Sequence, residues 1–492
     1  MKTIIMAGGK GTRISELFPD IPKPLIPIDG VPVLEREIIS LREQGFDDLI
    51  ITISHMGEKI RQYFGDGSKW NVHIEYYDET IPLGNAGALF KLRDKLGNED
   101  FLLLNADAIF EVDFNRMINF HREKKALVTL FTHPNSHPYD SGLIIADNNL
   151  SVEHWLTKED ARPQWYKNRV NAGLHVINPK VLDMVGIDTD VIGKEIDGKL
   201  VKVDLDRQIL KPLCGRGVMY CYDSPEYVKD MGTPERYSMV EKDFKKGIVN
   251  FKNLSNKQRA VFLDRDGTVN VYKGFLTNID EFELIDGVAE AIKKINSSGY
   301  LCILVTNQPV IARGEVTYEE LEQIHNKLET LLGLQGAYID GIYYCPHHPH
   351  KGYEGEVPEL KIDCDCRKPK PGMLYKAAKD FNIDLSKSYM VGDSENDIKA
   401  GTLAGCKTVL GCVHLKVDQF LHTIPQSHKT FHAGFGGGVE VRAHHTAVFP
   451  VVHLPVYNGI GIVLHIGVGR NGGVNGFAFA QLRQLCLLIS AM

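Results

Sequence analysis

Twice along this chain a four-residue apolar run breaks directly into a turn suited to phosphate. Thr3-Ile4-Ile5-Met6 runs into Ala7-Gly8-Gly9-Lys10-Gly11-Thr12-Arg13, and Ala260-Val261-Phe262-Leu263 into Asp264-Arg265-Asp266-Gly267-Thr268. An apolar run of this length without polar alternation reads as a strand buried on both faces, the habit of parallel α/β sheets. Two such starts in 492 residues exceed what one core organises, so the chain is expected to form two α/β units. In the first, residues 48–53, 72–76 and 101–105 read as further strands, with helices over 34–44 and 86–96. In the second, 301–306 and 388–391 read as strands, and 287–297 and 318–331 as helices. The charged, Lys- and Asn-rich stretch 241–258 reads as the linker between residues 1–240 and 259–412.

Composition narrows the partners. Charged residues make up 24% of the chain and the formal net charge is -7, which gives no electrostatic basis for binding nucleic acid or an anionic membrane. Phosphate must therefore be met by local groups, and small molecules are the expected substrates. The opening Met1-Lys2-Thr3-Ile4-Ile5-Met6-Ala7-Gly8 is broken by glycine too soon for a signal peptide, which points to the cytoplasm. The segment 413–492 matches neither unit. It carries seven Asp, Glu, Lys or Arg and eight histidines whose spacing fits no metal-ligand pattern, and it reads as an atypical extension rather than a metal tract.

In the first unit, Gly8, Gly9 and Gly11 let backbone amides approach a triphosphate, and Arg13 adds a fixed charge. Pro22-Lys23-Pro24-Leu25 stiffens the chain around Lys23 and aims it at a phosphate. Leu83-Gly84-Asn85-Ala86-Gly87 opens a helix, and Leu103-Leu104-Asn105-Ala106-Asp107 leaves a carboxylate at a strand tip, where ligands bind in open parallel sheets. Together these motifs resemble the sugar-1-phosphate nucleotidyltransferases, a Rossmann-like, GT-A-like fold, over residues 1–240. The resemblance implies that Gly8, Gly9, Gly11, Arg13 and Lys23 hold the nucleoside triphosphate. It also implies that Gly84, Asn85 and Gly87 line the base and sugar pocket, and that Asp107 and Asp230 coordinate Mg2+. Lys158 and Asn171 are the candidates for the sugar phosphate and its hydroxyls.

In the second unit, Asp264 and Asp266 stand two residues apart just past a strand, so both can face one Mg2+ and one phosphoryl group. Cys345, Cys364 and Cys366 with the histidines of Pro346-His347-His348-Pro349-His350 offer the donors of a closed tetrahedral zinc site. Val261 to Asn270, Val305-Thr306-Asn307-Gln308, Arg367-Lys368-Pro369 and Val391-Gly392-Asp393 follow in the order of the haloacid-dehalogenase-like phosphatases, which this unit resembles. The resemblance implies Asp264 as nucleophile and Asp266 as acid and base. Mg2+ would lie on Asp264, Asp393 and the Asp266 carbonyl, and Thr306, Asn307, Arg367 and Lys368 would lie around the phosphate. Asp397 is expected behind the ligands rather than among them.

Within that superfamily, Gly341 to Pro349 together with Cys364-Asp365-Cys366-Arg367-Lys368-Pro369 resembles the D-glycero-D-manno-heptose 1,7-bisphosphate 7-phosphatases, with histidinol phosphatases as the rival family. That match selects His347 as the fourth zinc ligand. Pro309-Val310 stands where the family carries Ser-Gly, a departure that bears on the substrate-side loop. Since a phosphatase yielding heptose 1-phosphate makes what a GTP-using transferase would consume, the expected function is two consecutive steps toward GDP-heptose. Another sugar paired with a hexose or histidinol phosphatase fits the same motifs. So, less well, does a non-catalytic sugar-nucleotide sensor.

Overall fold

The computed structural model describes residues 1–9 and 13–411. Gly11 and the segment expected to be an atypical tail lie outside the described residues. The first apolar run forms β1 (Thr3–Met6), the centre of a nine-stranded sheet. Parallel to it run β2 (Asp48–Ile53), β3 (His73–Asp78) and β4 (Phe101–Asn105). The sheet continues through β6 (Val128–His133), β7 (Leu143–Ala146), β8 (Val152–Leu156), β9 (Val170–Ile177) and β10 (Met219–Asp223). Its order is β8-β7-β9-β4-β1-β2-β3, with β6 and β10 branching from β9. The antiparallel return of β9 on β4 shows that the sheet is mixed rather than purely parallel. A separate pair, β5 (Ala108–Glu111) and β11 (Tyr227–Asp230), sets Asp230 opposite Ala108, so Asp107 and Asp230 meet beside one crossover.

Helices α1 (Val33–Glu43), α2 (Gly57–Phe64), α3 (Gly87–Lys91) and α4 (Phe114–Lys124) cover the sheet. The apolar stripe Val33, Leu34, Ile38 and Leu41 recurs at helical spacing, which is why 33–43 coils and turns that face inward. The helix expected over 86–96 is broken at Leu92 into α3 and a second short turn.

The second sheet is parallel throughout, in the order β14-β13-β12-β15-β16. Its strands are β12 (Ala260–Leu263), β13 (Leu301–Asn307), β14 (Gly341–Cys345), β15 (Tyr389–Gly392) and β16 (Lys407–Leu410). It is flanked by α7 (Val288–Asn296), α8 (Tyr318–Leu334), α9 (Gly372–Asp380) and α10 (Glu395–Ala404). Two apolar clusters, one on each face, make this unit three-layered.

The stretch read as a linker is tightly held. It contains the end of α5 (Pro234–Lys245) and the short α6 (Ile248–Phe251), and Val240, Ile248 and Val249 join Ile28, Val33 and Ile109 in one buried cluster. The Glu226 carboxylate, buried and raised to about 7 by that burial, accepts from the amides of Asp113 and Leu254 at 2.8 Å each and from Ser224 Oγ at 2.9 Å. On the other side, Gln258 Nε2 donates to the carbonyls of Phe251, Asn253 and Asn256. Its backbone amide reaches the Asn382 carbonyl at 3.0 Å. Composition marks such a stretch as polar, but those amides and carboxamides are spent inside the protein.

The two units also meet directly. The Thr330 hydroxyl of α8 accepts from the Tyr166 amide at 2.9 Å, and Glu329 accepts from the Asn168 amide at 2.5 Å. Arg116 donates to the Asp380 carbonyl at 2.6 Å.

Removing the Glu226 carboxylate would orphan two buried amides. Glu226→Ala is expected to lower stability by about 3 kcal/mol, read from the urea midpoint of the full chain.

Candidate active sites

In the second unit the strand ends bring together residues from four loops. Asp264 follows β12, Thr306 and Asn307 end β13, Lys368 lies in the loop before α9, and Asp393 and Asp397 follow β15. Lys368 Nζ is buried between Asp264 Oδ1 at 2.7 Å and Asp397 Oδ1 at 2.5 Å, and it also donates to the Val305 carbonyl at 2.8 Å. Burial opposes the ammonium, yet the two carboxylates outweigh it and raise the Lys368 pKa. Burial raises Asp264 despite the opposing pull of Lys368, and burial with the charges of Asp264 and Asp397 pushes Asp393 up to about 6.

Asp264, Asp393 and Asp397 present carboxylate oxygens within 4.8 Å of one another. Three carboxylates against one ammonium leave two negative charges, a donor set that fits a divalent, oxygen-seeking cation. Asp397 accepts the Ser394 amide and hydroxyl through Oδ2 and Lys368 through Oδ1, so both its oxygens are already engaged.

Gly267 explains itself here. Its φ is +83°, and a Cβ on it would lie 2.1 Å from Asp393 Oδ2, so only glycine lets the turn close over that carboxylate. Asn307 clamps the Lys368 loop by donating to the Lys368 carbonyl and accepting from the Lys368 amide, each at 3.0 Å. The Asp266 carboxylate is not part of the metal-type group. It is held by Arg265, by Gln308 Nε2 at 2.9 Å and by Asn270 Nδ2 at 3.1 Å. Sequence reasoning gave Arg265, Gln308 and Asn270 no role. Past Gln308, Val310 and Ile311 are buried with Val316 and Leu321, so the Pro309-Val310 departure anchors its loop on a small apolar cluster.

Cys345, His347, Cys364 and Cys366 converge as expected. Their sulfurs lie 3.2–3.4 Å apart and His347 Nδ1 is 3.3 Å from Cys366 Sγ. Those separations exclude disulfides and approach the ~3.8 Å between sulfurs on one tetrahedral zinc ion. A hydrogen bond from Cys345 pulls the Cys366 thiol down to about 5, while Cys345 itself is pushed up. Arg367 donates to the His347 carbonyl at 3.2 Å, tying this knot to the loop that carries Lys368.

In the first unit, Arg13, Lys23 and Asp230 gather around Gly232. A Cβ there would lie 2.9 Å from Asp230 Oδ1 and 3.6 Å from both Arg13 Nη2 and Lys23 Nζ. Lys23 pairs with Asp107, and Arg236 takes both oxygens of Asp230 at 2.9 and 2.7 Å. Beside Asp107 lies Glu37, which sequence reasoning missed. It is buried, both its oxygens lack partners among the described residues, and burial and the Asp107 charge raise its pKa well above the usual range.

Gly8 and Gly9 follow β1 directly. Gly84, at φ +86°, closes on the Val203 carbonyl, where a Cβ would sit at 2.3 Å. Asn85 Oδ1 accepts from the Leu205 amide at 2.7 Å, and Gly87 begins α3. The Gly84–Gly87 turn is therefore packed onto residues 203–205. Asn171 bonds Gly173 and His175 on β9, and Lys158 lies exposed in a separate loop.

Comparison with known proteins now bears on this geometry. Residues 2–246 match the nucleotidyl transferase model, and residues 211–405 match the haloacid dehalogenase-like hydrolase model. A D-glycero-beta-D-manno-heptose-1,7-bisphosphate 7-phosphatase of Haemophilus ducreyi is 48% identical over 152 residues, covering 31% of this chain and 81% of the relative. The chain belongs to that hydrolase family and carries a nucleotidyl transferase domain in front of it. The models overlap over residues 211–246, which the structure builds into the first sheet and its helix α5. Two solved structures are also similar. HddC from Yersinia pseudotuberculosis is 22% identical, with 49% of this chain and 99% of that one covered and a TM-score of 0.41. A D,D-heptose 1.7-bisphosphate phosphatase from B. bronchiseptica, complexed with magnesium and phosphate, is 35% identical, with 31% and 80% covered and a TM-score of 0.28. Among the described residues no helix is long and apolar enough to cross a membrane.

For the hydrolase unit, Gly267→Ala is expected to displace Asp393. Phosphate release should fall by about 100-fold in a steady-state assay of the full chain, since misplacement of this order at a reacting centre costs that much.

Proposed function

We propose that this chain performs two consecutive steps toward GDP-heptose. Residues 259–412 would remove the 7-phosphate of D-glycero-D-manno-heptose 1,7-bisphosphate. Residues 1–240 would then transfer GMP from GTP to the heptose 1-phosphate, releasing pyrophosphate, with 241–258 joining the two. The observation that carries the reading is the buried Asp264–Lys368–Asp397 cluster beside a thiolate knot, in a unit 48% identical to a named heptose-bisphosphate phosphatase. The first step would feed the second, which supports the choice of sugar.

In the hydrolase step, an Asp264 oxygen attacks phosphorus, forming an aspartyl phosphate as the bond to the sugar oxygen breaks. Asp266 gives that oxygen its proton, then takes one from the water that attacks the aspartyl phosphate and frees inorganic phosphate. Thr306, Asn307, Arg367 and Lys368 hold the phosphoryl oxygens. Asp264, Asp393 and the Asp266 carbonyl would hold Mg2+, which supplies charge against the phosphoryl oxygens. Zinc on Cys345, His347, Cys364 and Cys366 would be structural.

In the transferase step, the sugar phosphate oxygen attacks the α-phosphorus in line. Arg13 and Lys23 neutralise the charge that grows there, Gly8, Gly9 and Gly11 give room to the triphosphate, and Gly84, Asn85 and Gly87 border the base. Lys158 and Asn171 meet the sugar phosphate, and Asp107 and Asp230 would hold Mg2+, which would supply charge against the phosphoryl oxygens.

Supplied with the heptose bisphosphate, GTP and Mg2+, the full chain is expected to release phosphate and then pyrophosphate. Asp264→Asn should abolish the first product yet keep pyrophosphate release from heptose 1-phosphate. Lys23→Ala should do the reverse, with losses of about 100-fold or more. Preference for histidinol phosphate, or pyrophosphate release with mannose 1-phosphate alone, overturns the assignment.

The zinc reading is tested by metal content. One zinc ion per chain is expected, and its removal by a chelator should lower the thermal midpoint and phosphate release together. Cys366→Ser should lose the ion, while a native protein without zinc refutes the site.

A further inference from the structure

We propose that His325 is a positioning residue for the hydrolase step: by accepting a hydrogen bond from Arg265 it fixes the guanidinium that holds the Asp266 carboxylate. The inference rests on the reading of Asp266 as the proton carrier.

Arg265 is fully buried, so each of its N–H groups needs an acceptor inside the protein. Nε and Nη2 take Asp266 at 2.9–3.2 Å, and Nη2 also reaches Gln308 Oε1 at 2.9 Å. Nη1 points at His325 Nε2, 3.3 Å away. A neutral imidazole with its proton on Nδ1 is the form that accepts there. Burial, Arg265 and Lys167 all favour that form, pushing the His325 pKa well below its usual value. Without this acceptor, Nη1 would be stranded in a buried site. The guanidinium would then turn toward another partner and take Asp266 with it, because the two share a bidentate contact.

The support behind His325 is equally fixed. It sits mid-way along α8, which starts at a Thr317–Glu320 capping box. One turn further on, Glu329 and Thr330 are bonded to the backbone at Asn168 and Tyr166 of the transferase unit. The imidazole ring lies against Tyr344, with ring centres 5.6 Å apart. On its open side a cavity of about 690 Å³ between the units, bordered also by Lys167 and Glu322, leaves room for a replacement side chain. His325 therefore reaches Arg265 from an element held at both units, and nothing in the hydrolase motifs names it.

The test compares two full-length variants, with the heptose bisphosphate and saturating Mg2+. His325→Phe keeps the ring against Tyr344 and removes the acceptor, whereas His325→Gln places a carbonyl oxygen near the position of Nε2. The Phe variant is expected to lose about 10- to 100-fold in kcat with KM changed by no more than about twofold. The Gln variant should recover to within about fivefold of wild type. Should His325→Phe fail to fold, judged by its thermal transition, His325→Leu takes its place in the same comparison. Wild-type kcat in the variant lacking the acceptor overturns the proposal, as do equal losses in both variants. Asp266→Asn separates this from failure of the underlying reading, because wild-type turnover in that variant removes the proton-carrier role itself.

Discussion

The hydrolase unit depends on one buried cation. Lys368 is almost fully excluded from water, and it is tolerable there because Asp264, Asp397 and the Val305 carbonyl surround its ammonium. The same contacts tie three separate strand ends together: β12 through Asp264, β13 through Val305 and β15 through Asp397. Removing Lys368 would leave a trio of carboxylates facing one another, an arrangement a folded protein does not hold without neutralising charge. The converse also follows. With Lys368 present the cluster still carries an excess of two negative charges, and burial, reinforced by the charges of Asp264 and Asp397, raises Asp393. A divalent cation is the natural complement of that surplus.

The position of Lys368 is in turn set by the sulfur knot two residues earlier. Cys364 and Cys366 approach Cys345 at the end of β14, and the Arg367 contact to the His347 carbonyl fixes the chain between knot and ammonium. A loop of this kind has little apolar surface of its own to bury, so metal ligation is an efficient way to order it. Asn307 completes the arrangement from β13 by pairing with both backbone groups of Lys368. The loop that carries Lys368 is thus held from two sides, by Arg367 on the His347 carbonyl and by Asn307.

How far this was legible in the sequence follows from where each contact originates. The two apolar runs with their turns, the Asp264-Arg265-Asp266 motif and the Cys/His set are local patterns, and the structure brings each together in its own loop. Gln308 and His325 come from two distant stretches of chain, and their convergence on the Arg265–Asp266 pair has no spacing to betray it. Arg265 in particular, a charged residue between two aspartates, is fully buried. The hold on the stretch 241–258 was hidden for a different reason. Its Lys and Asn content suggests a solvated linker, but Glu226 and Gln258, which hold it, draw partners from scattered positions. Asn85 carries a parallel lesson: its side-chain oxygen is spent on the Leu205 amide, a packing duty that a motif cannot separate from ligand binding.

In the transferase unit the charges are paired among themselves. Lys23 rests on Asp107 and Arg236 on Asp230, so both carboxylates proposed for the metal are already paired, one of them by a cation proposed for the triphosphate. On the proposed function an anionic nucleotide would compete for Lys23, and drawing it off would expose Asp107 to a divalent ion. Nucleotide and metal would thereby be linked by charge balance, each lowering the electrostatic cost of the other. Glu37 fits the same balance. Held near Asp107 with neither oxygen bonded, its carboxyl is driven toward the neutral form, which spares the resting site a further negative charge behind the one that Lys23 already covers.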